Sequence, residues 1–316
     1  MNRPWEAFCK LGIVHFMIYP EVMGGEGPIL ETARKIAEDD FFEVMEIAPV
    51  KDTEVLKDLK ALAESAHMLI GFGAQPGLLR NKLNLAALDE GERAKAVENV
   101  KSSIDQAYMV GARILALLDG PNSYPGEDRV EQAKDAVVKS LSELCQYAKD
   151  KAKANGYTLY VSVENFDQDI EKKSLLGPTA VAAEVVGRVK QEHQNIGLTV
   201  DLSHLPLLRE SAERALSAAA EHLIHIHIGN AIMRDKQQEG YGDQHPGFGV
   251  PGSENDVPEL IEYLKALFKI GYFSKKLPTP MPVVTFEAKP LSHETPEVVM
   301  ANLKRTWREA WAKLEV

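Results

Sequence analysis

The 316-residue chain is poor in cysteine, with only Cys9 and Cys145, which lie far apart. This spacing provides neither a CxxC pair nor the framework of a small disulfide-linked domain. Because free cysteine is usually buried as a small hydrophobic side chain, we expect both thiols to be structural. The composition, 45% apolar and 26% charged, is that of a globular protein large enough to bury a sizeable core.

Long apolar runs and an excess of basic charge are also missing. No run approaches the roughly 18 residues of a membrane-spanning helix, and the start of the chain lacks the apolar segment of a signal peptide. The 36 Lys and Arg stand against 47 Asp and Glu, a net charge of -11 that repels polyanions. We therefore expect a cytoplasmic protein that binds neither membranes nor nucleic acid.

What the sequence does contain is a regular alternation of short strand-like runs and longer segments of helical periodicity, typical of repeated βα units. Eight strands are predicted: Leu11–Ile18, Phe42–Ala48, Met68–Phe72, Ile114–Leu118, Thr158–Glu164, Gly197–Asp201, Leu223–Ile228 and Val283–Glu287. Eight helices are predicted between them: Pro28–Asp39, Thr53–Ala66, Glu92–Val110, Asp128–Ala154, Pro178–Glu192, Leu207–Glu221, Asp256–Ile270 and Thr295–Ala312. Eight such units close a barrel, so we predict an α/β protein with one (β/α)8 TIM-barrel domain over residues 1–316, an open doubly wound sheet being the alternative.

Metal-capable side chains stand at the ends of the last four predicted strands: Glu164, Asp201, His227 and Glu287. The carboxyl ends of barrel strands converge on one mouth, where these side chains would meet. Three carboxylates and one imidazole suit Mn2+, Co2+ or Mg2+ better than a thiolate-seeking ion. Each residue alone is explained better by a salt bridge or hydrogen bond, but four on consecutive strands predict a metal centre.

These motifs resemble those of the xylose-isomerase-like TIM barrels, the sugar phosphate isomerase and epimerase group that includes ketose 3-epimerases and inositol-pathway enzymes. The resemblance spans nearly the whole chain and rests on Val163-Glu164-Asn165, Asp201-Leu202-Ser203-His204, His225-Ile226-His227 and Phe286-Glu287. It implies one divalent ion, for which we expect Mn2+ ahead of Co2+, Mg2+ or Zn2+.

The resemblance also implies a reaction and two catalytic residues. The glutamates that match Glu164 and Glu287 bind the metal in ketose epimerases and exchange a proton with a substrate carbon on opposite faces. A sugar, ketose or keto-polyol would chelate the metal, which would stabilise the enediolate formed by proton abstraction next to a carbonyl. The expected partner is therefore a small carbohydrate.

Five further residues are candidates for substrate binding. By the resemblance, His204 matches a position that touches substrate oxygens, although a capping or surface histidine has the same spacing. Arg234 falls one residue further from the histidine than a family arginine that contacts a substrate hydroxyl. Glu46 is expected to orient His204 or a substrate hydroxyl, or to form a structural ion pair, and Lys289 to bind a phosphate or enolate oxygen or to face solvent.

The fifth candidate, His245, lies in the long irregular segment Gly229–Asn255, which is expected to be functional. Related apurinic-site endonucleases bind an additional zinc with an Asp-x-His like Asp243-x-His245, but the histidines that they carry after strands three and four are missing here. We therefore interpret His245 as a substrate-facing or loop-bracing residue. His225, two residues before His227, is expected to be a buried core histidine one layer deeper in the barrel.

Other functions remain open at this point. A lyase of the same barrel, either a C-glycoside deglycosidase-type subunit or a keto-inositol dehydratase type, would begin with the same proton abstraction, and the long loop would admit a bulkier substrate or a small partner subunit. A barrel that serves as a non-catalytic scaffold is a further alternative, as is an apurinic-site endonuclease. The sequence does not decide between a monomer and a homo-oligomer.

Overall fold

Eight parallel strands form a closed barrel in the computed structural model, which describes residues 3–316. The strands pair in chain order. β8 closes the sheet by pairing with β1, in a register that runs from Lys10 opposite Val283 to Ile13 opposite Phe286. Their bounds are β1 Lys10–Val14, β2 Val44–Ile47, β3 Leu69–Gly73, β4 Ile114–Leu117, β5 Tyr160–Glu164, β6 Ile196–Asp201, β7 Leu223–Ile228 and β8 Val283–Phe286. The predicted single-domain (β/α)8 barrel is confirmed.

Helices connect the strands and surround the barrel. Their bounds are α1 His15–Ile18, α2 Ile29–Ala37, α3 Thr53–Ser65, α4 Gln75–Arg80, α5 Glu90–Val110, α6 Val130–Asn155, α7 Thr179–Lys190, α8 His204–Leu208, α9 Ala212–Ala219, α10 Val257–Lys269 and α11 Pro296–Lys313. Within residues 3–316, no helix is both long and apolar enough to cross a bilayer.

Three elements differ from the sequence prediction. The first predicted strand continues to Ile18, but β1 ends at Val14 and the buried run after it forms helix α1. A short apolar run does not distinguish a strand from a buried helix by periodicity alone. The predicted helix Leu207–Glu221 is two helices, separated at Arg209, which has a φ of 57°. Helix α4, which follows β3 directly, was not predicted.

The barrel interior below the mouth is lined by small and polar side chains. Alternate residues of a strand point inwards, so the positions two residues before Glu164, Asp201, His227 and Glu287 lie one layer deeper. They are Ser162, Thr199, His225 and Thr285, all buried. Barrel interiors are usually filled by bulky branched side chains. This polar layer therefore leaves space and hydrogen-bonding groups directly beneath the strand ends.

Candidate metal centre

The structure brings the four predicted metal ligands together at the mouth of the barrel. Glu164 and Asp201 are the last residues of β5 and β6, His227 is the next to last of β7, and Glu287 directly follows β8. One donor atom from each lies within 4.8 Å of the other three. His227 Nδ1 is 2.8 Å from Glu287 Oε2 and 3.1 Å from Glu164 Oε1.

The chemistry of this group fits a divalent cation. All four residues are at most 8% exposed, so three carboxylates share a buried site. Among the described residues Asp201 Oδ2 has no hydrogen-bond partner. A buried oxygen in that state is normally satisfied by a partner such as an ion or water, and carboxylates with one imidazole suit Mn2+, Mg2+ or Zn2+.

Neighbouring histidines control the charge of the group. Burial works against the negative charge of Asp201, but His204 and His245 nearby lower its pKa to about 2. For Glu287 burial has the larger effect and raises the pKa of this carboxyl above its usual range. The two carboxylates therefore have different proton affinities although both lie close to His245 and His227.

A second group of donors shares Asp201 with the first. The donor atoms of Asp201, His204 and His245 lie within 4.8 Å of one another. Asp243 Oδ1 is 3.0 Å from His204 Nε2 and 3.6 Å from His245 Nε2, and none of these three atoms has a hydrogen-bond partner among residues 3–316. His245 Nε2 is 3.4 Å from Asp201 Oδ2. These residues form a second group of donor atoms that could bind a cation.

His204 is a buried residue and not the surface histidine of the alternative interpretation. Its Nδ1 donates to the backbone oxygen of Asn165 at 2.8 Å, and the Phe166 ring lies 4.4 Å from the His204 ring. Burial works against the charged ring, but Asp243 and Asp201 raise the pKa of His204 to about 10. The His204 ring is therefore in contact with other groups of the protein.

Glu46 contacts His225 and His227 and does not contact His204, which agrees with the structural ion pair that was the alternative interpretation. Its Oε1 lies 2.6 Å from His225 Nε2, and its Oε2 lies 3.1 Å from His227 Nε2. Burial disfavours the charge, yet the two histidines hold the pKa of Glu46 well below its usual range. Glu46 and His225 therefore lie on the side of His227 that faces away from Glu164 and Glu287.

A cavity of about 200 Å³ opens above the donors. His227, His245 and Glu287 form its floor, together with Glu46. Lys289 contributes to the wall, and its Nζ is 3.4 Å from Gln244 Oε1. One wall is apolar and consists of Phe16, Met17, Met23, Leu79 and Phe166. Asp201, Glu164 and His204 lie behind this lining.

Arg234 is not brought to the cavity. Its side chain is 70% exposed and its Nε lies 3.4 Å from Glu254 Oε1. Arg234, which is offset by one residue from the family position, therefore has its guanidinium group outside the cavity.

Two side chains that contact the candidate site are not identified by the sequence analysis. Gln75, at the start of α4, donates from Nε2 to Glu164 Oε2 at 2.7 Å. Lys172 lies 2.8 Å from Asp243 Oδ2 and the same distance from Glu171 Oε1. The Glu171 carboxylate also accepts from the Asp243 backbone at 2.9 Å, which joins the loops after β5 and β7. No local motif marks such contacts between distant loops.

Comparison with known proteins agrees with this architecture. A model of the family described as xylose isomerase-like TIM barrel matches residues 34–280. An uncharacterized protein of Methanocaldococcus jannaschii is 25% identical over 272 residues, 85% of this chain and 82% of that protein.

Solved structures share the fold at lower identity. The D-psicose 3-epimerase of Clostridium cellulolyticum H10, in a structure with D-tagatose, has a TM-score of 0.64 and 20% identity, over 97% of this chain and 92% of that one. The IolI protein, in a structure with a zinc atom, has a TM-score of 0.70 and 17% identity, over 97% and 99% of the two chains.

Proposed function

Because the chain belongs to the xylose isomerase-like TIM barrel family, we propose that it is a divalent-metal-dependent isomerase or epimerase of a sugar, ketose or keto-polyol. The observation that carries this proposal is the convergence of Glu164, Asp201, His227 and Glu287 beneath a cavity of about 200 Å³. The epimerase solved with D-tagatose supports a ketose as the substrate. A divalent cation held by the four side chains would act as a Lewis acid on the substrate carbonyl.

We propose that the two glutamates move a proton at the carbon next to that carbonyl, Glu287 from the cavity lining and Glu164 from directly behind it. Glu287 lines the cavity directly, so it can reach a carbon of a bound sugar. Glu164 contacts the same His227 nitrogen from β5, and Gln75 fixes its Oε2. One carboxylate would remove the proton and the other would return it, which inverts the carbon when the two act from opposite faces.

The surrounding residues would exclude water and bind hydroxyl groups. His245 and Lys289 line the cavity and present nitrogen donors to a polyol. The contacts of Glu171 with Asp243 and Gln244 hold the loop after β7 over the mouth. Exclusion of water strengthens the electrostatic interactions within the site and protects the carbanionic intermediate from side reactions.

We expect Mn2+ as the metal, although the zinc atom of the IolI structure makes Zn2+ the first alternative to test. Three carboxylate ligands favour a harder ion, and one imidazole is compatible with either. Metal-free protein reloaded with one ion at a time, and assayed with the same substrate, would identify the ion. Higher activity with Zn2+ than with Mn2+ would correct this assignment.

The proposed reaction is tested by proton exchange with solvent. Purified protein loaded with Mn2+ is incubated in D2O with ketoses, ketose phosphates and keto-inositols, and each sugar is then analysed by mass spectrometry and NMR. We expect deuterium at one carbon next to the carbonyl, together with an isomer or epimer. Failure to label any substrate in the panel would contradict the proposal.

A lyase is the second candidate, and the apolar wall of the cavity favours it. Phe16, Met17, Met23, Leu79 and Phe166 offer a surface for an aromatic or aliphatic group attached to the sugar, as in a C-glycoside. In such a substrate, removal of the proton next to a keto group would be followed by departure of the apolar group, which takes up a proton. Release of that group from a keto C-glycoside added to the panel of the D2O assay would identify the lyase.

A further inference from the structure

Glu46 connects the metal donors to a histidine deeper in the barrel. Its two carboxylate oxygens accept separately, Oε1 from His225 Nε2–H at 2.6 Å and Oε2 from His227 Nε2–H at 3.1 Å. A carboxylate can only accept, so each ring donates from Nε2. This leaves the lone pair of His227 Nδ1 directed towards Glu164 and Glu287, where a cation would bind.

We infer that Glu46 and His225 are positioning residues that fix the ring orientation and tautomer of His227 and thereby set the affinity of the donor group for its cation. The inference rests on the proposed metal centre and deepens it. Partners of this kind orient metal-bound histidines in general, and their loss typically lowers metal affinity about 10- to 100-fold.

The neighbouring strand is adapted to this arrangement. Gly71 of β3 pairs in register with Glu46 of β2. A Cβ atom at position 71 would lie 2.6 Å from Glu46 Cγ, which is closer than atoms approach without a shift. The carboxylate of Glu46 therefore crosses the barrel only because β3 has no side chain at this point.

Packing alone does not hold His225. Below it lies a cavity of about 190 Å³ that reaches the amino-terminal ends of the strands near Arg113 and Thr279. Glu46, His225 and Gly71 line its inner end, and His225 Nδ1 has no hydrogen-bond partner among the described residues. With open space on that side, the hydrogen bond to Glu46 is what restrains the His225 ring.

The inference is tested by Mn2+ affinity, which does not depend on turnover. Mn2+ is titrated into metal-free protein, and the free ion is counted from its EPR signal. We expect His225→Ala to weaken binding about 10- to 100-fold. His225→Gln, whose amide keeps a donor at the end of the side chain, should recover most of the loss, and added imidazole should partly restore the Ala variant through the lower cavity.

Thr285→Val is the matched control. Thr285 lies in the same interior layer, and its buried Oγ1 has no hydrogen-bond partner within residues 3–316. Removal of that hydroxyl should leave Mn2+ affinity unchanged. An equal loss in Thr285→Val would show that any change in this layer loosens the site, which would overturn the role assigned to His225.

Two further variants keep the test decisive if His225→Ala does not fold. Glu46→Gln retains the shape of the side chain but offers an amide nitrogen to one histidine, and Gly71→Ala displaces Glu46 without changing a polar group. Both should weaken Mn2+ binding. Wild-type affinity in all folded variants would overturn the inference alone, whereas a wild-type protein that binds neither Mn2+ nor Zn2+ would overturn the metal centre as well.

Discussion

The two halves of the barrel contribute different things to the site. Strands β5 to β8 each deliver one donor to the metal centre, namely Glu164, Asp201, His227 and Glu287. The segments that follow β1 and β3 deliver Phe16 and Gln75 instead, a cavity wall and a hydrogen bond to Glu164. The reacting groups are thus concentrated in one half, while the other half shapes the space and orients them.

We expect the largest loss of activity from a substitution in the half of the barrel that carries the metal donors, β5 to β8. Glu287→Gln keeps the size of the side chain but removes a base, so deuterium exchange should fall about 10²- to 10⁴-fold while the fold is retained. Exchange is measured by mass spectrometry and folding by thermal melting. Glu297→Gln, at a surface residue paired with Lys35, is the control and should exchange at the wild-type rate. Retained exchange in Glu287→Gln would remove this residue from catalysis.

The other half should respond to acid through His15, which follows β1. Burial lowers the pKa of His15 to about 4, from 6.5 in an exposed histidine. Between these two pH values, the His15 ring is therefore protonated in the unfolded chain but neutral in the folded protein. The stability from the neutral ring is complete above pH 6.5 and is lost as the pH falls towards 4, by about 3 kcal/mol.

Urea unfolding of wild type and His15→Gln across this range tests that effect. The variant lacks the titrating ring, so the difference in unfolding free energy between the two proteins should change between pH 7 and pH 4.5. A constant difference would show that His15 does not contribute to acid sensitivity.

A change at Gln75 should lower the rate less than a change at Glu287. Gln75→Leu removes the donor to Glu164 Oε2, and a hydrogen bond to a charged group contributes about 1.5–3 kcal/mol, so about 10- to 100-fold of the exchange rate should be lost. Mn2+ binding should remain, which separates this variant from changes at the ligands. A wild-type exchange rate in Gln75→Leu would mean that the hydrogen bond from Gln75 is not needed to position Glu164.

Smaller effects are expected at the rim of the site. Phe166→Leu shortens the apolar wall and should raise KM by a few fold with little change in kcat, because hydrophobic contacts of this size contribute about 1 kcal/mol. Arg234→Gln should change neither constant, since the guanidinium lies outside the cavity. A large rise in KM for Arg234→Gln would show that the loop after β7 closes over the substrate.

Sequence patterns predicted the donor half much better than the other half. Glu164 and Asp201 end strands whose bounds follow from β-branched runs, and barrel geometry then requires that their side chains meet. Gln75 depends on helix α4, which has no long periodic segment to reveal it. A short apolar run after β1 was likewise taken for strand although it forms α1.

Side-chain partners inside the barrel were the least predictable. The sequence leaves Glu46 with three possible partners, His204, a substrate hydroxyl or an unspecified ion-pair partner, whereas the register of β2 and β3 and the absence of a side chain at Gly71 bring it to His225 and His227. Residues 46 and 225 are far apart in the chain, and no spacing rule connects them. Such contacts depend on barrel closure and on the size of neighbouring side chains, which a single sequence does not display.

The central claim is that four side chains from four consecutive strands hold one cation. It is tested most directly by anomalous diffraction from crystals grown with Mn2+. We predict a strong peak about 2.0–2.6 Å from donor atoms of Glu164, Asp201, His227 and Glu287. Bound Mn2+ that lies only elsewhere, with these four side chains turned away from one another, would contradict the account.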